Sequence, residues 1–314
     1  MKMLLKNLLI TTVLLYGCAA ITPSQPPAPP TSQSYGPLVE SLNRAYNDVQ
    51  QNDCREIGTN LPRGHYYCTG IIIRATEDGD YLPWTNSPMA MERGSVSFSW
   101  FRKDDHPAYP FKGVGFILRN PVEGERLGLP GFDDGFICLF PVDALTGNNR
   151  LHGGCVSRFG KPAIHAFNPQ PDIPHHNIRF AWGSCEDIGI TTLEQWIDYA
   201  GDMQGGYARA TQCSWNVDSQ NGWRNSLAMH AHYPYLDEIW NELLMATVDD
   251  GYSRKDYISA VYVDAANYAS SIEAARTFQR KLIANNSYAP IIRLDLASDQ
   301  PFSFHQEDQI IVKR

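Results

Sequence analysis

An arginine at the end of an apolar run is the first residue whose position suggests chemistry. Arg74 follows three isoleucines in the segment GIIIRAT. Three consecutive β-branched residues predict a strand that is buried on both faces of a sheet. A guanidinium at the end of such a strand needs a partner, which is either a carboxylate of the same chain or an anionic ligand such as a phosphate.

Aromatic residues follow this arginine closely and complete a pattern that suits nucleotides. Tyr81 and Trp84 lie in the segment RATEDGDYLPWTNSP. A guanidinium can pair with a pyrophosphate while a neighbouring ring stacks on a base or on nicotinamide. The alternative interpretation is an ordinary loop lined with aromatic residues.

Two serines alternate with large apolar residues in the segment SVSFSW. Because side chains alternate along a strand, Ser97 and Ser99 share one face and the apolar residues share the other. Beside an arginine strand, the two hydroxyls would line a polar cleft. The alternative is a solvated sheet face, which is common in antiparallel sheets.

Polar residues also open the last predicted strand, in the segment FSFHQEDQIIVKR. Glu307 and Gln309 stand immediately before the apolar residues of that strand. Such a segment is either a loop that is solvated because it is polar or the catalytic edge of a sheet.

The order of these features resembles the arginine, serine and glutamate signature of the ADP-ribosyltransferase superfamily. In that superfamily the arginine holds the phosphates of NAD, the serine strand supports the nicotinamide pocket, and a glutamate before a strand engages the ribose. Arg74, Ser97 and the loop from Glu307 to Gln309 match these places. The chain departs from the signature at its end, where Gln309 stands directly before the strand and Glu307 lies two residues earlier.

Longer segments resemble the halovibrin family of secreted bacterial proteins. They are HYYCTGIIIRAT, WTNSP, GSVSFSWFRKD, CLFPVDALTGNNR, GITTLEQW and PIIRL. This resemblance implies an exported enzyme that cleaves the nicotinamide–ribosyl bond of NAD, or that transfers ADP-ribose to a protein, with NAD as substrate and no cofactor. It also implies an ADP-ribosyltransferase-like sheet. Three residues also resemble the pattern of NAD glycohydrolases of the tuberculosis necrotizing toxin type, which use an arginine, a nearby tyrosine and a late glutamine. Arg74, Tyr81 and Gln309 stand in these places.

The resemblance assigns a role to each candidate residue. Arg74 would clamp the pyrophosphate, and Tyr81 or Trp84 would stack near the nicotinamide. Gln309 would bind the ribose hydroxyls, and Glu307 would stabilise the positive charge of an oxocarbenium-like transition state. Without a glutamate at position 309, hydrolysis by water is favoured over transfer to a protein.

Other catalytic patterns are weak or absent in the sequence. The histidines of PHHN, residues 174–177, and of HAHY, residues 230–233, lack the spacing of a zinc protease, so no metal site is expected. No GxSxG motif, phosphate-binding P-loop or Rossmann fingerprint occurs. No serine, histidine and acid set has a spacing that predicts a hydrolase triad.

The beginning of the chain predicts export. Residues 1–18 carry two lysines and then a short apolar stretch, which is typical of an export signal, and LLYGC resembles a bacterial lipobox. We expect lipidation at Cys18 and attachment to a membrane there, with cleavage after the following small residues as the alternative. Residues 19–36 are a Pro/Ser-rich tether, and residues 37–314 are expected to form a single catalytic domain.

Charge and cysteine content agree with an exported protein. The formal net charge of −8 disfavours nucleic acid as a partner. A target protein or an immunity protein is a further candidate partner of an exported enzyme. Six of the seven cysteines follow Cys18, and an oxidising compartment favours disulfides between them. Pairing of neighbours is one of fifteen arrangements, and it joins Cys54 to Cys68, Cys138 to Cys155, and Cys185 to Cys213.

Periodicity along the chain predicts an α+β domain stapled by disulfides. An amphipathic helix is expected over residues 37–52, and strands are expected in GIIIRAT, GSVSFSWF, GVGFILR and GFICLFPV. A block of helices is expected around 222–247, 254–265 and 270–284, followed by strands in APIIRLDL and QIIVKR. TTLEQWIDYA predicts a further helix whose capping box is Thr191 and Glu194.

A second class of function is compatible with the same residues. A lipoprotein without catalytic activity could bind a protein or a carbohydrate at the envelope through aromatic loops, because 16 tyrosines and 7 tryptophans suit a binding face as well as a pocket.

Overall fold

The computed structural model describes residues 35–76, 95–105, 112–128, 136–142, 184–200, 214–232, 240–246 and 254–310. Several predicted features lie outside these residues. They are the export signal with Cys18, most of the tether, Tyr81, Trp84, Cys155, Cys213, the histidines of PHHN and the end of the last predicted strand.

A mixed sheet of nine strands forms the centre of the described structure. Its order is β11-β10-β9-β5-β3-β4-β8-β6-β7, and a separate hairpin pairs β1 with β2. The strands are β1 Cys54–Arg55, β2 Pro62–Arg63, β3 Ile71–Ala75, β4 Ser95–Phe101, β5 Val114–Leu118, β6 Phe136–Phe140, β7 Trp215–Asn216, β8 Glu242–Ala246, β9 Ile258–Asp264, β10 Ile291–Leu294 and β11 Phe302–Phe304. All pairs are antiparallel except β9 with β10, which are parallel.

Helices cover this sheet on both faces. They are α1 Gly36–Asn47, α2 Pro121–Arg126, α3 Leu193–Ala200, α4 Gln220–His232 and α5 Tyr268–Ala284. The longest, α5, connects β9 to β10, as a parallel pair requires a crossover connection. This architecture confirms the α+β class with a mixed sheet that the sequence predicts.

The run of isoleucines in β3 is buried on both faces, as its composition predicts. Ile72 belongs to the core on the α5 side of the sheet, whereas Ile71 and Ile73 belong to the core on the α1 side. None of the three is more than 4% exposed. Because β3 pairs with β5 on one side and with β4 on the other, it is a central strand of the sheet and not an edge strand.

One of the predicted helices is a strand over most of its length, and another is helical only in its first part. The helix expected around 222–247 ends at His232 and is followed by β8, and the segment expected to be helical over 254–265 contains β9. Both strands have hydrogen-bonded neighbours on each side. In β8 this pairing outweighs the helix propensity of leucine and methionine, whereas β9 is itself rich in the strand-forming residues isoleucine, valine and tyrosine. The helix expected over 270–284 is confirmed as part of α5.

Two local predictions are displaced along the chain. Helix α1 ends at Asn47 rather than near Asn52. The cap of α3 uses Thr192 and Gln195 instead of the residues one position earlier. The Thr192 hydroxyl accepts a hydrogen bond from the main-chain N–H of Gln195 at 3.3 Å. In return, the side-chain oxygen Oε1 of Gln195 accepts one from the main-chain N–H of Thr192 at 3.1 Å. The capping box is therefore real, but it begins one residue later than expected.

The disulfide between Cys54 and Cys68 is confirmed. Their Cα atoms lie 5.6 Å apart, and the bridge closes the segment that contains the β1–β2 hairpin. Cys138 and Cys185 are also bonded in disulfides. The pairings predicted for them involve cysteines outside the described residues.

An aromatic cluster lies beneath β4 and encloses a histidine. The His65 ring stacks on Trp223 with centroids 5.7 Å apart and lies 6.1 Å from the Trp100 ring. His65 is 4% exposed, and its Nδ1 has no hydrogen-bond partner among the described residues. Burial, assisted by the positive charge of Arg102, lowers the pKa of His65 from 6.5 to about 4.

We expect this histidine to weaken the fold in mild acid. Between pH 6.5 and about 4 the unfolded chain binds a proton at His65 that the folded chain does not, so the free energy of unfolding falls as the pH falls through this window. The loss is on the order of 3 kcal/mol by pH 4. Urea unfolding at pH 7 and pH 4 should show this loss in the wild type and a smaller one in His65→Gln. Parallel losses in both proteins would contradict the assignment.

None of the helices in the described part of the chain combines the length and apolarity needed to cross a bilayer.

Candidate functional site

The side chain of Gln309 has a structural role near the end of the chain. Gln309 is 7% exposed, and its amide makes four hydrogen bonds. Its Oε1 accepts from the Ile291 N–H at 2.9 Å and from Gln279 Nε2 at 3.1 Å, while its Nε2 donates to the carbonyls of Ile291 at 2.8 Å and His305 at 3.0 Å. All donor and acceptor positions of a glutamine amide are thereby filled. The side chain takes the place of a neighbouring strand beside Ile291.

The two acidic residues before this glutamine have different environments. Asp308 is fully buried and accepts Arg293 Nε at 2.8 Å, Arg293 Nη2 at 3.0 Å and the Tyr268 hydroxyl at 2.5 Å. Burial alone would raise the pKa of Asp308, but these hydrogen bonds outweigh it and the pKa lies below its usual value. The Glu307 side chain is 66% exposed and lies 3.2 Å from Arg293 Nη2.

The structure does not bring this C-terminal segment to Arg74. Gln309 is hydrogen-bonded to β10, and strands β5 and β9 lie between β10 and β3 in the sheet. At about 4.8 Å per strand, the axes of β3 and β10 are separated by roughly 14 Å. The predicted grouping of Arg74 with Glu307 and Gln309 in one site is therefore not what the described residues show.

Arg74 lies where two neighbouring strands stop pairing. The β3–β4 ladder ends at Ile73 opposite Ser99, although β3 continues to Ala75 and β4 begins at Ser95. The half-buried Arg74 side chain spans this opening, and its Nη1 donates to the Ser97 carbonyl at 2.6 Å. The arginine therefore stays attached to the serine strand after the main chains have separated.

The side chains of the two serines lie on the other face of the sheet. Val96, Phe98 and Trp100 are buried in the core on the α5 side, and Ser97 and Ser99 are half-buried on the α1 side, as the alternation predicts. The Arg74 guanidinium lies on the α5 side, 5.8 Å from the Phe98 ring. The contact between Arg74 and the serine strand is therefore made through the Ser97 main chain and not through a hydroxyl.

The sheet places a carboxylate, which the sequence analysis missed, beside the two serines. Glu242 is the first residue of β8 and is 1% exposed. The recorded β4–β8 pairs end with Phe98 opposite Leu243, and the next step of the same register sets Ser99 opposite Glu242. On its other side Glu242 is paired with Phe140 of β6. Directly opposed side chains on one face lie about 4.5–5.5 Å apart at Cβ.

The neighbouring asparagine fixes this register. Asn241 Nδ2 donates to the Trp100 carbonyl at 2.6 Å and to Asp105 at 2.9 Å, and Asn241 Oδ1 accepts the Trp100 N–H at 2.8 Å. These buried bonds tie the start of β8 to the end of β4. The position of Glu242 relative to Ser99 is therefore determined by contacts immediately beside it.

Glu242 was missed because its segment was interpreted as the end of a helix. The available signal was the apolar run Leu243–Met245, which is short enough to be a strand buried on both faces. Such a run after a glutamate fits the pattern of a glutamate directly before a strand at least as well as the segment that ends at Gln309 does.

The site contains no metal-binding group within the described residues, where no cluster of three histidine, cysteine or acidic side chains has the required proximity. His230 and His232 lie at the end of α4.

No protein-family model matches the chain, and a search of curated proteins finds no similar sequence.

Proposed function

We propose that this protein is an exported enzyme that cleaves the nicotinamide–ribosyl bond of NAD, as its resemblance to the halovibrin family implies. The observation that carries the proposal is the strand order β3-β4-β8. It sets an arginine strand, a serine strand and a strand that begins with glutamate side by side, although β8 follows β4 by more than a hundred residues. This arrangement supports an ADP-ribosyltransferase-like core with Glu242, and not Glu307 or Gln309, in the place of the glutamate.

The chemistry assigns one task to each strand. Nicotinamide leaves with the electron pair of its bond to the ribose, and the ribose carbon becomes oxocarbenium-like. The Glu242 carboxylate would stabilise this positive charge, water would add to the same carbon, and a proton would be released. Ser97 and Ser99 would support the nicotinamide pocket on the face that holds Glu242.

Arg74, whose guanidinium lies on the α5 side of the sheet, would bind the pyrophosphate at the opening between β3 and β4, and the nicotinamide end of NAD would pass through this opening to the face that holds Glu242. The hydrogen bond from Arg74 to the Ser97 carbonyl fixes the guanidinium at the edge of this opening. Tyr81 and Trp84 follow it in sequence and remain the candidates for stacking on the nicotinamide. Because Glu242 is 1% exposed, NAD can reach it only after the covering part of the protein has moved.

A direct assay tests this function. Purified, oxidised full-length protein is incubated with NAD, and released nicotinamide is measured chromatographically beside labelled ADP-ribose on lysate proteins. We expect nicotinamide release in the wild type and a loss of about 100-fold in Arg74→Ala, because a charge that positions the phosphates is removed. Arg44→Ala is the matched control, since Arg44 is an exposed arginine on α1. Wild-type protein without turnover of either kind would refute the proposal.

That negative result would favour the binding function. The hairpin tip supports this second candidate, since Ile57 and Leu61 are each 50% exposed on a segment stapled by the Cys54–Cys68 disulfide. Exposed apolar side chains on a rigid hairpin suit contact with a partner at the envelope, to which a lipidated Cys18 would attach the protein.

A further inference from the structure

Three side chains in and after β11 form a chain of polar contacts that the NAD site does not use, with one hydrogen bond and one ion-pair contact. Ser303 Oγ lies 3.1 Å from His305 Nε2, and His305 Nδ1 lies 3.4 Å from Glu307 Oε1. The order is hydroxyl, imidazole and carboxylate, with a different imidazole nitrogen facing each neighbour. We propose that Ser303, His305 and Glu307 form a nucleophilic site that hydrolyses small carboxylic esters.

The backbone explains how residues so close in sequence come together. Ser303 lies within β11, and His305 continues the extended conformation with φ −128° and ψ 125°. Alternation along an extended chain therefore sets Ser303 and His305 on the same face. The 3₁₀ turn Gln306–Asp308 then reverses the chain and returns Glu307 to the imidazole.

The contacts set the roles of the two imidazole nitrogens. When the Glu307 carboxylate accepts the Nδ1 proton, Nε2 of a neutral imidazole is the acceptor that faces the Ser303 hydroxyl. A base that faces the nucleophile and is itself oriented by an acid is the arrangement required for activation of a serine. His305 is therefore the general base, and Glu307 holds its tautomer.

Neighbouring arginines hold this chain in place. Arg293 is paired with Ser303 across the β10–β11 ladder, and its Nη2 contacts Glu307 at 3.2 Å. Arg276 donates to the carbonyls of Glu307 at 2.7 Å and Asp308 at 3.1 Å, so the second and third residues of the turn are anchored on α5. Arg293 uses Nε and Nη2 in its hydrogen bonds among the described residues. Its Nη1 is left to stabilise an oxyanion near Ser303.

The reaction balances without a cofactor. Ser303 Oγ attacks the ester carbonyl carbon while its proton moves to His305 Nε2. The tetrahedral intermediate expels the alcohol, which takes that proton, and an ester of Ser303 remains. Water then attacks this ester by the same route, which releases the carboxylic acid and restores the serine.

Exposure determines the class of substrate. The side chains of His305 and Glu307 are 36% and 66% exposed, so a substrate can reach the site from solvent. Water also competes for the hydrogen bonds that stabilise the transition state. We therefore expect activity with small activated esters, whose leaving groups need little assistance, and not with amides.

Covalent labelling and ester hydrolysis test the proposal. Full-length oxidised protein is treated with diisopropyl fluorophosphate, its peptides are mapped by mass spectrometry, and hydrolysis of p-nitrophenyl acetate is measured in parallel. We expect the label on Ser303, and a loss of about 100-fold in serine-dependent hydrolysis in both Ser303→Ala and His305→Gln. Ser298→Ala is the matched control, because Ser298 is equally half-buried and its hydroxyl donates to the Gln300 carbonyl.

The outcomes separate this site from the NAD site. Label on Ser303 together with loss in His305→Gln supports the proposal, even if the protein does not cleave NAD. Absence of label on Ser303, or hydrolysis by the wild type no faster than by His305→Gln, overturns it. Cooperative thermal unfolding of each variant verifies that a lost signal does not reflect lost folding.

Discussion

The substitution Glu242→Gln is expected to lower the rate of NAD cleavage about 100-fold or more while the protein stays folded. This substitution keeps the size of the side chain and its ability to accept hydrogen bonds. It removes the negative charge that would face the oxocarbenium-like ribose. This charge lies in β8, between Ser99 of β4 and Phe140 of β6. The measurement is kcat for nicotinamide release, beside thermal unfolding of each protein.

Two further variants distinguish Glu242 from the C-terminal candidates. Glu40→Gln is the matched control, because Glu40 is an exposed glutamate on α1. Gln309→Ala should be less stable, since the main-chain groups of Ile291 lose two hydrogen bonds, but its folded fraction should retain kcat. A loss of kcat in folded Gln309→Ala with normal turnover in Glu242→Gln would show that the C-terminal interpretation was correct.

The substitution Arg293→Met is expected to lower the free energy of unfolding by about 3–5 kcal/mol at pH 7. Asp308 is fully buried, and two of its hydrogen bonds come from this guanidinium. Methionine keeps much of the volume but leaves a buried carboxylate with the Tyr268 hydroxyl as its remaining side-chain donor among the described residues. Urea unfolding measures the loss.

The difference between wild type and Arg293→Met should depend on pH in a defined direction. The folded-state pKa of Asp308 is depressed in the wild type, so its stabilisation is present above the unfolded pKa of about 3.9 and is lost as the pH falls through the folded value. The difference should therefore be largest near neutrality and shrink in acid. Arg280→Met is the control, because that arginine pairs with the exposed Glu273 and a solvent-exposed ion pair adds little to stability. Similar small losses in both variants would disprove the buried-pair argument.

Local patterns in the sequence predicted much of the sheet. The isoleucine run of β3 and the alternation in β4 follow from side-chain direction and β-branching, which act within a few residues. The Cys54–Cys68 disulfide was also predicted, because cysteines close in sequence in an oxidising compartment can readily meet. These features are decided locally, so the sequence was sufficient for them.

Strand β8 could not be predicted from propensity alone. The segment Glu242–Ala246 consists of residues that favour helices in isolation. Pairing with β4 on one side and β6 on the other makes it a strand, and that contribution depends on residues far away in sequence. The error also hid Glu242, because a carboxylate inside a predicted helix carried no signal of proximity to Ser99.

Composition and local periodicity were sufficient to predict which side chains were available for chemistry and that segments such as β3 and β4 form strands. The tertiary structure alone decided which of those side chains meet. It buried Gln309 in hydrogen bonds to the main chain, set Arg74 and the serine hydroxyls on opposite faces, and brought Glu242 beside β4. The physical reason is that strand order is selected by the burial and pairing of the whole sheet, whereas spacing along the chain records only what neighbouring residues favour.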